Sequence, residues 1–417
     1  VPAPTGNPEA PLQMMVSALD YDDYIGRLAI GRIIAGTLTA DQSIAYGKPG
    51  GTLRKNRLSG LFRFDGLGRS KTEQASIGDI VMVAGLSGVE IGDTITDPDS
   101  PSLLPPIEVD EPTLAMNFTT SDSPLAGREG KMVTSRHLKE RLERELERNV
   151  ALRVIPTDSP DTFEVCGRGE LHLGILLETM RREGYELSVS APRVLFKETP
   201  EGLQEPIEEL TVDLPEDAVG SVVERLGERK GEMINMTGAG TGRVRLTYMI
   251  PMRGLIGFRS ELLTLTRGYG IMSHLSAGYG PHKGDFRTRH RGSLIASDDG
   301  PATFYALHQL QDRGAYFIEP GTVVYSGMVI GEHCRPGDLE VNVCKKKQVT
   351  NMRSSTAEQT VRLEVPREMS LEKALEYIGD DELVEITPNS VRIRKQHLCP
   401  HTRARIRKEK KQAAAAT

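Results

Sequence analysis

Apolar and other residues alternate through "LQMMVSALDYDDYIGRLAIGRIIAGTL", with Gly26, Gly31 and Gly36 as interruptions. Further on, "SIGDIVMVAGLSGVEIGDTI" breaks into short apolar stretches at Gly-Asp turns. Short strands at such spacing predict a small β-barrel over residues 1–108. The Pro-rich "DPDSPSLLPPIEVDEP" then reads as a linker.

From here the period switches back and forth between two and 3.6. "TLAMNFTT" is a predicted strand. "SRHLKERLERELERN" is a predicted helix with Ser135 as N-cap and Leu138, Leu142 and Leu146 on one face. "LRVIPT" and "TFEVCG" follow as strands, "GELHLGILLETMRREG" as a helix closed by Gly184, and "YELSVSA" as a last strand. This β-α-β-β-α-β order is the ferredoxin-like plan, expected over 109–195. It recurs over 196–283: "EPIEELTVDLP", "EDAVGSVVERLGERKG" ending near Gly231, "EMINMTG", "GRVRLTYMIP", "LIGFRSELLTLTRG" and "GIMSHLSAG". The two passes share little sequence, so the repeat is architectural. Residues 284–417 form a fourth, mixed α/β segment. In it "ATFYALHQL", "TVVYSGMVIGEH", "DLEVNVC" and "VRLEVP" read as strands. "SLEKALEYIG" reads as a helix capped by Ser370, and "RKEKKQAAAAT" as a disordered tail. The predicted fold class is multidomain β and α+β: a barrel, two ferredoxin-like domains and a mixed terminal domain.

Composition narrows the chemistry. The absence of Trp and the 42 Gly and 25 Pro in 417 residues favour short strands and turns over a helical bundle. A formal net charge of −6 excludes a wholly basic nucleic-acid binder, so such a role would rest on local patches. Cys166, Cys334, Cys344 and Cys399 form no C-x-x-C pair, which fits a reduced compartment. No apolar run reaches transmembrane length, so no membrane partner is expected. The opening "VPAPTGNPEAPLQMM" reads as a linker, which suggests the C-terminal part of something longer.

No G-x-x-x-x-G-K-[ST] occurs, and the Asn-Lys-x-Asp guanine motif is also missing. A phosphate loop needs that pattern to wrap backbone N–H groups on phosphate and to hold Mg²⁺. No catalytic group and no cofactor are therefore expected in this chain. "HLCPH" places His397, Cys399 and His401 close together, on one face if extended, but three ligands without a fourth are a weak zinc pattern, so no metal is assigned. His172, with no base–nucleophile pair around it, reads as a packed or capping histidine.

Basic clusters are the stronger signal. "VRIRKQHLCPHTRARIRKEKK" holds Arg392, Arg394, Lys395, Arg403, Arg405, Arg407 and Lys408 with His397 among them. In a strand, Arg392 and Arg394 would share one solvated face. "HKGDFRTRHRG" adds Lys283, Arg287, Arg289 and Arg291. A solvated charge run beside acids such as "GDDELVEI" is the bland alternative, but several runs in one segment favour binding a polyanion. A long polar stretch, "KKKQVTNMRSSTAEQT", joins "LEVNV" and "VRLEV", which would pair as a hairpin. Loops beyond roughly 12–15 residues are usually functional or disordered. Lys345, Lys346 and Lys347 could hold phosphates, and Asn351 and Arg353 could contact base or sugar edges.

"GRGELHLGILLETMRREGYELSVSAPRVLFKET" resembles the third domain of elongation-factor-G-like translational GTPases. "EPIEELTVDLPEDAVGSVVERLGERKGEM" with "IPMRGLIGFRSELLTLTRGYG" resembles their last ferredoxin-like domain. "LQDRGAYFIEPG", "VVYSGMVIGEH", "RPGDLEVNVCKKKQVTNMRSS" and "DDELVEITPNSVRIRK" resemble the C-terminal domain peculiar to the BipA/TypA family. The resemblance covers essentially the whole chain. It implies a monomeric, ribosome-associated protein of the cytoplasm, or of the plastid stroma in a photosynthetic eukaryote. It also implies roles in large-subunit assembly and in stress or cold adaptation, contacts with large-subunit rRNA and aminoacyl-site tRNA, and GTP with Mg²⁺ held by an upstream GTPase domain. "KKKQVTNMRSS" corresponds to the family's long loop, which implies RNA contacts at Lys345, Lys346, Lys347, Asn351 and Arg353. Two other readings compete: a stand-alone RNA-binding assembly scaffold without a coupled GTPase, and an independent, metal-dependent enzyme.

Overall fold

A computed structural model describes residues 4–22, 24–66, 68–107, 111–200, 202–238, 240, 242–286, 289, 291–346 and 362–416. The chain divides into two compact units, residues 1–112 with 139–154, and residues 113–138 with 155–417.

In the first unit the strands run Arg54–Arg57, Ser43–Gly47, Thr94–Thr96, Gln13–Asp22, Gly26–Ala35, Ile80–Ala84, Gly60–Asp65 and Gly68–Lys71 across one sheet. A second pair, Thr37–Thr39 with Gln74–Ser76, packs Leu38 and Ala75 into the same core as Met14, Val16, Ile33, Ile44, Val81 and Ile95. One core enclosed by both sheets is the predicted barrel. Irregular register at Gln13/Met14 and Val16/Ala18 bends the longest strand pair. Gly31 is required there, because a Cβ would lie 2.0 Å from the carbonyl oxygen of Met15.

Both ferredoxin-like patterns lie in the second unit, apart from most of the first helix and the start of the strand after it, which fall within residues 139–154 of the first unit. The first pattern has β1 (Leu114–Thr120), α1 (Ser135–Arg148), β2 (Arg153–Pro156), β3 (Thr162–Gly167), α2 (Glu170–Arg182) and β4 (Leu187–Ser190). Its strands are ordered β2-β3-β1-β4, as the plan requires. Helix α1 begins one residue earlier in capping terms than expected. Thr134, not Ser135, is its cap, and its Oγ1 accepts the N–H of His137 at 3.4 Å. Helix α2 closes as predicted: Gly184 takes φ +91, its N–H donates to Arg181 O, and the Tyr185 N–H donates to Met180 O.

The second pattern has β5 (Gly202–Pro215), α3 (Val219–Glu228), β6 (Glu232–Gly238), β7 (Arg243–Pro251), α4 (Met252–Leu255), α5 (Phe258–Leu265) and β8 (Ile271–Pro281), with strand order β6-β7-β5-β8. The single helix expected over "LIGFRSELLTLTRG" is broken at Ile256 and Gly257, the latter at φ +71. Leu210, Val212, Leu246, Tyr248 and Ile250 of the sheet bury against Val222, Leu226, Phe258 and Leu262 of the helices.

The terminal segment contributes β9 (Ser293–Ala296), α6 (Phe304–Leu310), β10 (Gly314–Tyr316), β11 (Met328–His333), β12 (Leu339–Val341), α7 (Leu371–Tyr377), β13 (Glu382–Ile386), β14 (Val391–Lys395) and α8 (Pro400–Ala416). Its sheet is not separate. Strand β13 pairs antiparallel with β4, from Leu187↔Ile386 to Ser190↔Leu383, so one sheet runs β2-β3-β1-β4-β13-β14-β11-β9-β12. The open edge of the first ferredoxin-like sheet is thereby paired, which removes an aggregation-prone edge.

Three expectations for this segment are corrected. "ATFYALHQL" is helical, because Thr303 caps it, accepting the Ala306 N–H at 3.2 Å, while Ala306 and Leu307 bury on one face. "LEVNV" and "VRLEV" form no hairpin: β12 pairs in parallel with β9, and residues 362–370 have no regular structure. The tail is helix α8, begun by Pro400 at a position where a missing N–H costs nothing and continued by strong helix formers. Ser370 caps α7 as predicted, its Oγ accepting the Lys373 N–H at 3.3 Å.

Candidate nucleic-acid interface

Strand β12 leads directly into Val343, Cys344 and Lys345. Thr303 ties this root down: its N–H donates to Val343 O at 2.8 Å and its Oγ1 donates to Lys345 O at 2.6 Å. One hydroxyl thus caps α6 and holds the chain where the basic stretch starts. Lys345 and Lys346 are exposed. Lys347, Asn351 and Arg353 lie outside the described residues. On the far side, Leu363 rejoins the core and the Arg367 N–H donates to Tyr316 O at 2.8 Å.

Helix α8 lies beside the same strand. Arg403 donates to Glu340 of β12 at 2.6 Å and to the His397 carbonyl at 3.0 Å, while Arg407 sits 3.6 Å from Asp338. Leu398 packs against the core below. Arg403 is therefore a partly buried anchor, and Arg405, Arg407 and Lys408 remain exposed, as does His397 in the turn before the helix. Arg405 has only a weak i,i+4 contact with Glu409 at 3.7 Å. The structure so sets the α8 cations beside the short strand that leads into Lys345–Lys346.

It does not bring Arg392, Arg394 and Lys395 there. The solvated face expected for these residues is corrected: β14 is an interior strand, and Arg394 and Lys395 are each 1% exposed. Arg392 pairs with Glu129 and Arg394 with Asp122, both on the segment between β1 and α1. Arg394 also lies 3.2 Å from Glu385, which accepts the Tyr325 hydroxyl at 2.6 Å. Lys395 Nζ meets Asp338 at 2.7 Å, Glu382 at 2.9 Å and Asp381 at 3.0 Å. Burial alone would raise the Glu382 carboxyl, but Arg289 and then Lys395 hold it down to about 2. Glu385 goes the other way, pushed up by burial despite Tyr325 and Arg394. These cations are taken up by acidic partners, the buried Glu382 and Glu385 among them, and are withdrawn from the RNA-facing set.

The third patch disperses likewise. Lys283 pairs with Glu232 at 2.9 Å, Arg289 is clamped between Glu382 at 2.7 Å and the Tyr377 ring, and Arg291 is 4.0 Å from Glu332. Arg287 lies outside the described residues. Sequence reasoning named the acids of "GDDELVEI" only as a bland alternative and missed their register. Opposed pairs Glu382↔Lys395 and Glu385↔Arg392 across the β13–β14 hairpin were the available signal. Glu129 and Asp122, far off in sequence, gave none. His172 caps, its Nδ1 accepting the Arg168 N–H at 3.3 Å. His397, Cys399 and His401 do not line a strand, since α8 begins at Pro400, and among the described residues no His/Cys/Asp/Glu group is arranged to hold a metal. No described helix is long and apolar enough to cross a membrane.

Comparison with known families and proteins agrees with this architecture. Residues 291–400 match the TypA/BipA C-terminal domain, residues 202–290 the elongation factor G C-terminus, and residues 26–96 the elongation factor Tu domain 2. Proteins named large ribosomal subunit assembly factor BipA are 54% identical over 95% of this chain in Synechocystis sp., 49% over 99% in Bacillus subtilis and 47% over 99% in Salmonella typhimurium. The chain spans 66% of the first of these relatives and 68% of the other two. With near full-length coverage at about half identity, the chain belongs to the BipA/TypA family.

Proposed function

We propose that this chain is the ribosome-binding part of a factor acting in assembly of the large ribosomal subunit, the role its relatives' names carry. Its RNA-facing surface is the terminal segment, formed by Lys345, Lys346, Arg405, Arg407 and Lys408, with His397 at the rim and Lys347, Asn351 and Arg353 on the loop. The observation that carries this reading is the docking of α8 along β12, at the root of the loop. Exposed cations beside one strand and just past its end can follow a phosphate backbone and gain from counterion release. The loop is long enough to reach on the order of 25 Å from its root, at about 3.3 Å per residue for half its length. That reach suits a probe into a crevice of folded RNA, such as the site of an aminoacyl-site tRNA. GTP and Mg²⁺ would belong to a segment upstream of this chain, which itself offers no phosphate loop and acts as a monomer in the cytoplasm.

The test is co-sedimentation with purified large subunits over a salt series, using the Lys345→Ala, Lys346→Ala, Arg405→Ala, Lys408→Ala variant. Its melting should match the parent. Its salt dependence should be shallower by about 0.7–0.9 in log–log slope for each phosphate-neutralising cation removed. Unchanged affinity and slope in a folded variant refute the surface.

A further inference from the structure

Among the described residues, strand β10 is paired on one side only, with β11. Toward β11, Arg313 O accepts the Cys334 N–H at 2.9 Å and the Phe317 N–H donates to Ile330 O at 2.8 Å. Backbone groups alternate in direction along an antiparallel strand, so Gly314 O and the Tyr316 N–H and C=O point to the free edge. Residues 362–367 run along that edge without regular structure. A single backbone rung joins them to it, from the Arg367 N–H to Tyr316 O at 2.8 Å, and the Glu364 N–H reaches Gln311 Oε1 at 3.4 Å. The order of these contacts makes the segment parallel to β10. A cavity of about 60 Å³ lies between the two, walled by Gly314, Tyr316 and Leu363, with Val365 at its rim. The Tyr316 hydroxyl is buried without a hydrogen-bond partner among the described residues, and Val365 is 92% exposed.

We propose that residues 362–367 are a strap that closes onto the free edge of β10 as a parallel strand when the adjoining loop is held by RNA, an inference that rests on the RNA-contacting role proposed for that loop. One end of the strap is already pinned, by the Arg367 N–H bond and by the Arg367 guanidinium 3.6 Å from Glu332 of β11. Continuing the same register adds two rungs, the Val365 N–H to Gly314 O and the Tyr316 N–H to Val365 O. The sequence is set for this. "RLEVPR" alternates, so in a strand Val365 follows Leu363, which already packs against the core, onto the buried face. Pro366 falls where the N–H would point away from β10, a place at which an edge strand tolerates proline, and it biases Val365 toward extended backbone. Closure carries the Val365 side chain into the cavity, a gain opposed by the entropy of ordering the strap. A partner that holds the adjoining loop meets part of that cost, so binding and closure favour one another. The closed strap fixes the second root of the loop as Thr303 fixes the first.

The experiment combines hydrogen–deuterium exchange of the full 417-residue chain, with and without purified large subunits, with co-sedimentation of Val365→Asn and Val365→Ile over a salt series. The Val365 and Tyr316 amides should exchange rapidly in the free chain and become protected on binding. Because Val365 is exposed, Val365→Asn should melt like the parent. It should bind about tenfold more weakly at every salt concentration, since burial of a valine is lost but no counterion is involved. Val365→Ile should bind like the parent. A parent that binds while the Val365 and Tyr316 amides stay unprotected, or a Val365→Asn variant that binds as tightly as the parent, overturns the strap alone. A parent with no salt-dependent binding overturns the RNA surface, and the strap with it.

Discussion

Replacing Lys395 by Ala separates a structural charge from an RNA contact. Its ammonium is buried among Asp338, Asp381 and Glu382, and the Glu382 side chain has no exposure at all. The variant leaves Glu382 with Arg289 and the Ser293 hydroxyl, the latter at 2.7 Å, but leaves Asp338 with the Ser293 N–H at 2.9 Å and, as its remaining cation, the more distant Arg407. Removing one partner of a buried ion pair typically costs about 3–5 kcal/mol, because the other charge stays buried and uncompensated. The Glu382 carboxyl shows the same order of magnitude: it is held at about 2 against an ordinary value near 4.5, worth roughly 3 kcal/mol at neutral pH even after the cost of its burial, with Arg289 ahead of Lys395 in holding it there. With Arg289 left in place, a loss at the low end of that range, about 3 kcal/mol, is expected. Because the Glu382 value is depressed, this stability is present above the unfolded value near 4.5 and is lost as pH falls toward 2. Lys395→Ala should lose part of that acid sensitivity. The chain has no Trp, so the assay is urea unfolding followed by tyrosine near-ultraviolet dichroism, with Tyr377 beside the cluster and edge-on to Phe317 at 5.1 Å. Arg405→Ala, from an exposed pair, should shift stability by less than about 0.5 kcal/mol. If Lys395→Ala unfolds like the parent yet binds large subunits more weakly, the assignment of Lys395 to the core is wrong.

Two further outcomes are expected. Lys230 and Arg267 occupy left-handed positions at the ends of α3 and α5, at φ 62 and 53, where Gly231 and Gly268 N–H groups donate back to Leu226 O and Leu263 O. Lys230→Gly and Arg267→Gly should each stabilise by up to about 1 kcal/mol in thermal unfolding, and a loss of stability would show that these side chains hold contacts worth more than the strain. The shared sheet makes β1, β3 and β4 unfold together with β13 and β14, so their slowest amides should exchange with one common free energy in native-state hydrogen exchange, and two well-separated values would split the sheet at the β4–β13 seam.

Element order was legible because it rests on local patterns. Both ferredoxin-like passes emerge with their strands in the expected order, and the Gly184 and Ser370 caps sit where the residues placed them. Errors arose where tertiary context overrode the local reading. "ATFYALHQL" is apolar and β-compatible, and helix is favoured by the Thr303 hydroxyl, shared between the Ala306 N–H and the Lys345 carbonyl, together with the burial of Ala306 and Leu307 on one face. "VRIRK" alternates as a surface strand should, and does form a strand, but alternation says which residues share a face and not what covers it. What covers it comes from Asp122 and Glu129, more than 260 positions away. Half of the candidate site was legible for a related reason. Exposed Lys345, Lys346, Arg405 and Lys408 need no partner to be recognised, whereas buried cations are defined by theirs.

The joined sheet bears on how such a surface could work. A loop that probes RNA needs a root that does not yield when the tip is loaded. Here the root is fixed by Thr303 to α6, and β12 is paired to β9, which continues through β11, β14 and β13 into β4 of the ferredoxin-like pattern. The ion pairs of Arg392 with Glu129 and Arg394 with Asp122 cross that seam, and the Arg181 side chain adds a bond to the Pro388 carbonyl at 2.8 Å. Bending at the seam would have to break these charge-assisted contacts, of which the pair of Arg392 with Glu129 is largely shielded from water and so least replaceable by it. The cations that sequence alone would send to RNA thus serve the same end from within the core: they stiffen the platform on which the exposed ones are displayed.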